Sequence, residues 1–143
     1  MYQLLEPDAA EKRNFSSLER VGARQRKAWQ WLGETDRLIV ELASQGNSQR
    51  LISRAVGITP GTVSRRLNAI QQRLGDAVTL VLLDPSTPLD DDTRSMALLH
   101  QVGRLSAPVL ARQLGIAQSV VRERLRYARG IARGRLMRRA AGG

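Results

Sequence analysis

The sequence predicts an all-α fold made of two tandem helix-turn-helix units, with an N-terminal helix before them and an acidic, Pro-containing linker between them. Apolar side chains recur along most of the chain at the helical spacings of three and four, and no segment alternates clearly enough to predict a strand. Residues 49–68 also match residues 107–126 at a constant offset of 58 residues. The matching pairs are Gly57/Gly115, Ile58/Ile116, Val63/Val121, Arg66/Arg124, Arg54/Arg112 and Leu67/Leu125.

The N-terminal part and the first unit are predicted in order. Residues 1–33 form an arm and a helix that Ser16 or Ser17 begins and Gly33 ends. Residues 34–83 form the first unit, whose opening helix is capped by Thr35 or Asp36 and ends at Gly46-Asn47. Its predicted buried face is Leu38, Ile39 and Leu42.

The first repeated motif lies inside residues 34–83. Ser48 begins its first helix, Gly57 makes the turn, and Thr59 caps its second helix with Pro60 at the first position. Gly75-Asp76 interrupts that helix, and the apolar run 77–83 is predicted as a further helix, with a short strand as the alternative. We expect residues 77–83 to pack between the units or across a dimer. The second helix of the motif carries one apolar face, made of Val63, Leu67, Ile70 and Leu74.

Residues 84–93 hold two prolines and four aspartates, which predicts a linker. Residues 94–143 form the second unit, and Asp92 or Thr93 caps its opening helix. Ser106 begins the next helix, Gly115 makes the turn, and the last helix runs from about Ala117 into an arginine-rich tail. The predicted inward residues are Met96, Leu98, Leu99, Val102, Val109, Leu110 and Leu114.

The repeated residues fit the steric needs of a helix-turn-helix. A left-handed turn favours glycine, which has no Cβ to clash. A small residue four positions earlier, Ser53 or Ala111, lets the two helices approach closely. An apolar residue six positions later, Val63 or Val121, pins the second helix to the first. Two matches with the same offsets make the motif much more specific than one.

The bulk composition excludes several classes of protein. The chain has no cysteine, which rules out disulfides and thiolate metal sites. No apolar run approaches the roughly 20 residues needed to cross a bilayer. The first 15 residues lack the pattern of a signal peptide. We therefore expect a cytoplasmic protein with no membrane partner.

The net charge of +10 lies entirely in the C-terminal part of the chain. Residues 1–93 carry 12 basic and 12 acidic side chains, whereas residues 94–143 carry 11 arginines against Glu123 alone. Arginine suits phosphate and guanine because its planar guanidinium donates two hydrogen bonds at once. This distribution predicts a polyanionic partner.

The outward face of the first motif's second helix is the first candidate DNA-binding surface. Arg65 or Arg66 can reach a guanine edge and Asn68 an adenine edge. Thr62 and the free N–H groups at the helix start suit a phosphate. A solvated helix face is the alternative interpretation. The predicted DNA-binding residues are Thr59, Gly61, Thr62, Ser64, Arg65, Arg66 and Asn68.

The second motif offers a more basic face. Its predicted DNA-binding residues are Gln118, Ser119, Arg122, Arg124 and Arg126. An arginine stripe continues beyond them and is expected to bind backbone phosphate without reading sequence. RNA or an acidic protein surface would fit that stripe equally well. The stripe comprises Arg129, Arg133, Arg135, Arg138 and Arg139.

Residues 34–74 resemble region four of bacterial sigma factors and the related LuxR-type helix-turn-helix domains. The residues that carry the resemblance are Leu51-Ile52, Gly57-Ile58 and the run from Gly61 to Leu67, and residues 94–132 share it more weakly. In sigma factors this region reads the −35 promoter element and contacts RNA polymerase. The resemblance implies that Thr62, Ser64, Arg65 and Arg66 lie at DNA, with RNA polymerase as a second partner.

The chain departs from the pattern of these families in three ways. Nothing in the chain resembles sigma region two, and Ser53 stands where the first motif helix usually has alanine. A duplicated region-four-like unit is also not ordinary sigma architecture.

The expected function is a sequence-specific, double-stranded DNA-binding transcription regulator. One alternative is a sigma-like or antiterminator-like factor with one unit on DNA and the other on RNA polymerase. Another is an accessory module of a recombinase or transposase. A homodimer is left open.

The sequence shows no catalytic constellation and no phosphate-binding glycine loop. His100 is interpreted as a packing or surface residue, and Asp90, Asp91 and Asp92 as solvated linker carboxylates rather than metal ligands. We therefore expect no enzyme, no cofactor and no metal.

Overall fold

The computed structural model describes residues 23–142, and all regular structure in this range is helical. The predicted all-α class is therefore confirmed. Two compact units divide the chain between Gln72 and Arg73. This boundary falls inside a helix, ahead of the predicted linker at 84–93. The predicted cap at Ser16 or Ser17 lies outside the described residues.

In the part of the first unit that the structure describes, residues 23–72, there are four helices and a short 3-10 turn. Their bounds are α1 (Ala23–Ala28), the 3-10 turn (Trp29–Trp31), α2 (Glu34–Ser44), α3 (Gln49–Val56) and α4 (Pro60–Gly75), the last of which continues past the boundary. Helices α2 and α3 pack against each other. The buried core of this unit includes the aliphatic side chains of Ile39, Val40, Ala43, Ile52, Val63, Leu67 and Ile70.

Helix α2 differs from its prediction in two ways. It begins at Glu34, after Gly33, which makes no side-chain capping bond, so Thr35 and Asp36 lie inside the helix. Its buried residues are Ile39, Val40 and Ala43, while Leu38 is 41% exposed. The buried face of α2 is therefore rotated relative to the predicted one, since Ala43 is buried and Leu42 is only half-buried.

The second unit contains α5 (Ala77–Leu83), α6 (Asp91–Gln101), α7 (Ala107–Leu114) and α8 (Gln118–Gly142). Helix α8 packs against the other three, and α5 also packs against α6. The apolar run 77–83 is thus a helix, as favoured, and within the second unit it packs against α6 and α8. Leu114 is 47% exposed rather than inward because it is the last residue of α7, beside the turn.

The predicted linker is a structured segment that wraps around one arginine. The Arg94 guanidinium donates to the carbonyls of Leu82 at 2.6 Å, Asp84 at 2.9 Å and Thr87 at 2.7 Å. These bonds satisfy carbonyls at and beyond the end of α5, which have no helical partner. The cap of α6 is Asp90, whose carboxylate accepts from the Thr93 N–H at 2.6 Å, and not Asp92 or Thr93.

The helices α2–α4 and α6–α8 form two copies of a three-helix repeat. Ser48 caps α3 and Ser106 caps α7 in the same way, each accepting from the N–H three residues later. The backbone turns left-handed twice in each copy. Among the described residues the positive φ angles are those of Gly46, Gly57, Arg104 and Gly115, which form two pairs at the offset of 58 residues.

No helix within residues 23–142 combines the length and the apolar character that a membrane crossing requires.

Candidate nucleic-acid interface

The two glycine turns have nearly identical geometry. Gly57 has φ +78° and ψ +31°, and Gly115 has φ +67° and ψ +32°. The next N–H donates back to the same carbonyl in both copies, from Ile58 to Ser53 at 3.1 Å and from Ile116 to Ala111 at 3.2 Å. This six-to-one bond is the helix ending in which glycine is favoured. It sets the direction in which α4 and α8 leave each turn.

The side chains beneath each turn are also equivalent. Val63 on α4 and Val121 on α8 are fully buried. The small residues before the turns, Ser53 and Ala111, are buried as the sequence predicts, and so are Ile52 and Leu110 beside them. Because Val63 and Val121 point inward, the opposite faces of α4 and α8 point outward in both copies.

A short chain of polar contacts runs along the outward start of α4. The Thr59 hydroxyl accepts from the Thr62 N–H at 3.2 Å, and the two threonine hydroxyls lie 2.8 Å apart. The Arg65 guanidinium donates to the Thr62 hydroxyl at 3.1 Å. A Cβ on Gly61 would lie 3.4 Å from Nη1 of Arg65, so glycine leaves room for this guanidinium. The predicted residues at the start of α4 therefore form one connected group.

Arg66 is held differently from Arg65. Its guanidinium lies 3.6 Å from a carboxylate oxygen of Asp36 on α2. This ion pair ties α4 to the first helix of the repeat and partly neutralises Arg66. Ser64 is half-buried and Asn68 is exposed. Arg65 is therefore the better placed of the two arginines for a ligand.

The start of α8 lacks the threonine cap of α4. Ala117 precedes it, and the Val120 and Val121 N–H groups both donate to the Ala117 carbonyl. Gln118 is half-buried, and Ser119, Arg122 and Arg126 are exposed.

Arg124 points to the start of α6. The pKa of Asp90 is lowered by its hydrogen bonds with Thr93 and then by the charge of Arg124. The same arginine lines a groove with Asp92. Arg124 therefore belongs to a partly acidic surface.

The predicted arginine stripe separates into two groups. Arg135 donates to the backbone carbonyl and the hydroxyl of Ser86, and Arg139 lies 3.3 Å from Asp84. These two side chains fasten α8 to the segment after α5. The exposed arginines of the stripe that make no hydrogen bond or ion pair within the described residues are Arg129, Arg133 and Arg138.

No three His, Asp or Glu side chains within residues 23–142 are grouped to hold an ion. His100 is half-buried, and its Nδ1 lies 2.8 Å from the carbonyl oxygen of Leu105.

Comparisons with protein-family models, with curated proteins and with solved structures give no match. The function proposed for the chain therefore depends on its own geometry and charge.

Proposed function

We propose that this chain is a sequence-specific, double-stranded DNA-binding transcription regulator that reads the major groove with α4 and α8. The recurrence of one geometry at two places carries this proposal. In each copy a left-handed glycine and a buried valine direct a helix outward, and in each copy its first turns carry polar and basic side chains. A helix presented in this way fits the major groove of B-DNA.

The side chains at the start of α4 are suited to contact both the base edges and the backbone phosphates of a DNA duplex. The Arg65 guanidinium has the forked donors that match the O6 and N7 acceptors of guanine. The Thr59 and Thr62 hydroxyls, beside the N-terminal end of α4, suit a backbone phosphate. Base reading and positioning would thus come from adjacent residues of one helix.

The charge distribution supports a polyanionic partner for α8. Arg122 and Arg126 are exposed on its outward face, and Arg129 and Arg133 continue the positive surface. Phosphate contacts of this kind supply affinity that falls steeply with salt.

A second candidate function is a factor with one unit on DNA and the other on RNA polymerase. An open groove of about 260 Å³ in the second unit supports it. Leu114 is 47% exposed there, and Met96, Leu99 and Ile116 line the same groove. An exposed groove lined mostly by apolar residues, with Asp92 and Arg124 among the others, is more typical of a protein contact than of a DNA contact.

A salt series distinguishes these proposals. The protein is titrated into a labelled pool of random 30-base-pair duplexes and, separately, mixed with purified core RNA polymerase. A DNA-binding regulator gives a straight plot of log affinity against log salt, with a slope of about −0.9 for each phosphate contact. No measurable duplex binding at low salt would contradict both proposals, because each places at least one unit on DNA. Duplex binding together with a stable polymerase complex would support the second.

A further inference from the structure

An open groove of about 300 Å³ lies between α6, the start of α7 and α8. Leu125 and Ala107 supply its apolar lining. Its remaining lining residues are all basic, namely His100, Arg122, Arg126 and Arg129. The volume is at the lower end of the roughly 300–1,000 Å³ typical of ligand pockets.

The three arginines of this groove share one face of α8. They are separated by four and then three residues, so they lie close together along about two turns of the helix. Each is exposed, and none makes a hydrogen bond or ion pair within residues 23–142. Arg135 and Arg139, by contrast, have Asp84 and Ser86 as partners. Like charges at this spacing repel each other, and a bound anion would remove that repulsion.

His100 adds a fourth basic side chain to the groove. Its Nδ1 lies 2.8 Å from the Leu105 carbonyl, and a carbonyl can only accept a hydrogen bond. Nδ1 therefore carries the hydrogen of the neutral ring, and Nε2 is the atom left for a ligand. Nε2 accepts in the neutral ring, and it donates to a phosphate oxygen only in the imidazolium form, in which both ring nitrogens carry hydrogen.

Two of the first backbone positions of α7 have no free N–H to offer this groove. Pro108 has no N–H, and the Val109 N–H already donates to the Ser106 hydroxyl at 3.4 Å. The positive charge of the groove comes from its side chains.

We propose that this groove holds one phosphate of the DNA backbone, bound by Arg122, Arg126 and Arg129 with His100 as a fourth contact. This inference rests on the proposed function and names a contact within it. The backbone is favoured over a free phosphorylated ligand because Arg122 and Arg126 also belong to the outward face of α8, near Gln118 and Ser119 at its start. A duplex that meets this face brings its phosphates alongside the groove.

Titration with inorganic phosphate tests the groove without DNA. Side-chain NMR signals of the arginines are followed while potassium phosphate replaces chloride at constant ionic strength. We expect saturable shifts at Arg122, Arg126 and Arg129 and at the His100 ring, with Arg112, an exposed arginine on α7, unchanged. No shift, or equal shifts at Arg112, would overturn the proposal.

Duplex binding by Arg126→Gln identifies the source of the phosphate, with Arg112→Gln as the charge-matched control. We expect Arg126→Gln to weaken binding to all duplexes about tenfold and to reduce the salt slope by about one, and His100→Gln to weaken binding less. Equal effects of Arg126→Gln and Arg112→Gln on the duplex would overturn the backbone assignment.

The two experiments separate the two proposals. Duplex binding without any response to inorganic phosphate would rule out phosphate binding in the groove, and it would not contradict the proposed function. A saturable phosphate response without duplex binding removes the proposed function, and the groove would then be a site for a free phosphorylated ligand.

Discussion

Gly46 and Arg104, 58 residues apart, share a left-handed backbone conformation, with φ of +88° and +59°. Each lies in the connection between the first and second helices of its repeat, between α2 and α3 or between α6 and α7. The repeat therefore covers three helices and two turns in each copy. One copy makes the first turn with glycine, and the other makes it with a residue that is strained there.

Replacing Arg104 with glycine is expected to stabilise the protein. A left-handed conformation costs a residue with a Cβ roughly 1–2 kcal/mol, and the extra backbone entropy of glycine offsets part of this. We expect Arg104→Gly to raise the free energy of unfolding by about 0.5–1 kcal/mol in urea titrations. Arg112→Gly, in the interior of α7, is the control and should lower stability. A loss of stability in Arg104→Gly would contradict the assignment of strain.

Substitutions at Gly57 test whether the turn before α4 depends on a left-handed backbone conformation. A Cβ at Gly57 would meet nothing within 4 Å, so any loss comes from backbone strain rather than from collision. We expect Gly57→Val to lower the free energy of unfolding by about 1–3 kcal/mol, because a β-branched residue resists positive φ. Gly57→Asn is the control, since asparagine tolerates this conformation. Equal stability of the two variants would remove the turn assignment.

Arg65 and Arg66 are expected to differ at DNA. Arg65→Ala should weaken binding to the preferred site by about 1–3 kcal/mol and relax the preference at one base pair. Arg66→Ala should cost less, because the Arg66 guanidinium already lies 3.6 Å from the Asp36 carboxylate. Arg54→Ala is the control for loss of charge, because Arg54 is an exposed residue of α3. Competition binding against duplexes changed at single positions measures both effects, and identical behaviour of all three variants would exclude a reading role for Arg65.

Asp90 is expected to make the stability of the folded protein depend on pH, with a contribution that is lost as the pH falls. Its pKa is lowered from 3.8 in the folded protein, first by the Thr93 hydrogen bonds and then by Arg124. A lowered folded pKa means that the stabilisation is present above the unfolded value and is lost as pH falls through the folded value. Melting temperatures of wild type and Asp90→Asn should therefore converge below about pH 4. A constant difference down to about pH 2 would show that the ionised form of Asp90 does not stabilise the fold.

Arg135 is expected to support stability rather than DNA binding. It donates to Ser86 and lies 3.8 Å from Asp84, and its side chain is 22% exposed. Arg135→Gln should lower the free energy of unfolding by about 0.5–1.5 kcal/mol, whereas Arg138→Gln, on the exposed end of α8, should not. If Arg135→Gln leaves stability unchanged and reduces duplex affinity, the partition of the stripe is wrong.

Most of the features that could be predicted from the sequence depend on only a few neighbouring residues. Serine caps and turn glycines act over a few residues, so the start of α3 at Ser48, the turns at Gly57 and Gly115 and the break at Gly75-Asp76 were all predictable. The buried face of α4 was predictable as well, because its apolar residues follow one helical stripe.

Long-range contacts were not predictable in the same way. Residues 84–93 have the composition of a linker. In the structure, however, the Arg94 guanidinium donates hydrogen bonds to carbonyls of this segment, and Arg135 donates to Ser86, 49 residues away. The strained turn at Arg104 was also missed, since the residue type gives no sign of a positive φ. Its signal lies in the repeat itself, because Gly46 stands 58 residues earlier.

Selection from a random duplex library at near-physiological salt, followed by footprinting of the best site, tests the central proposal most directly. Two outward helices in tandem predict a long, bipartite site in which two separate determinants are protected, one of which is lost in Gly57→Val. A single short determinant would contradict tandem reading, and the absence of any enriched sequence would contradict sequence-specific DNA binding by this chain.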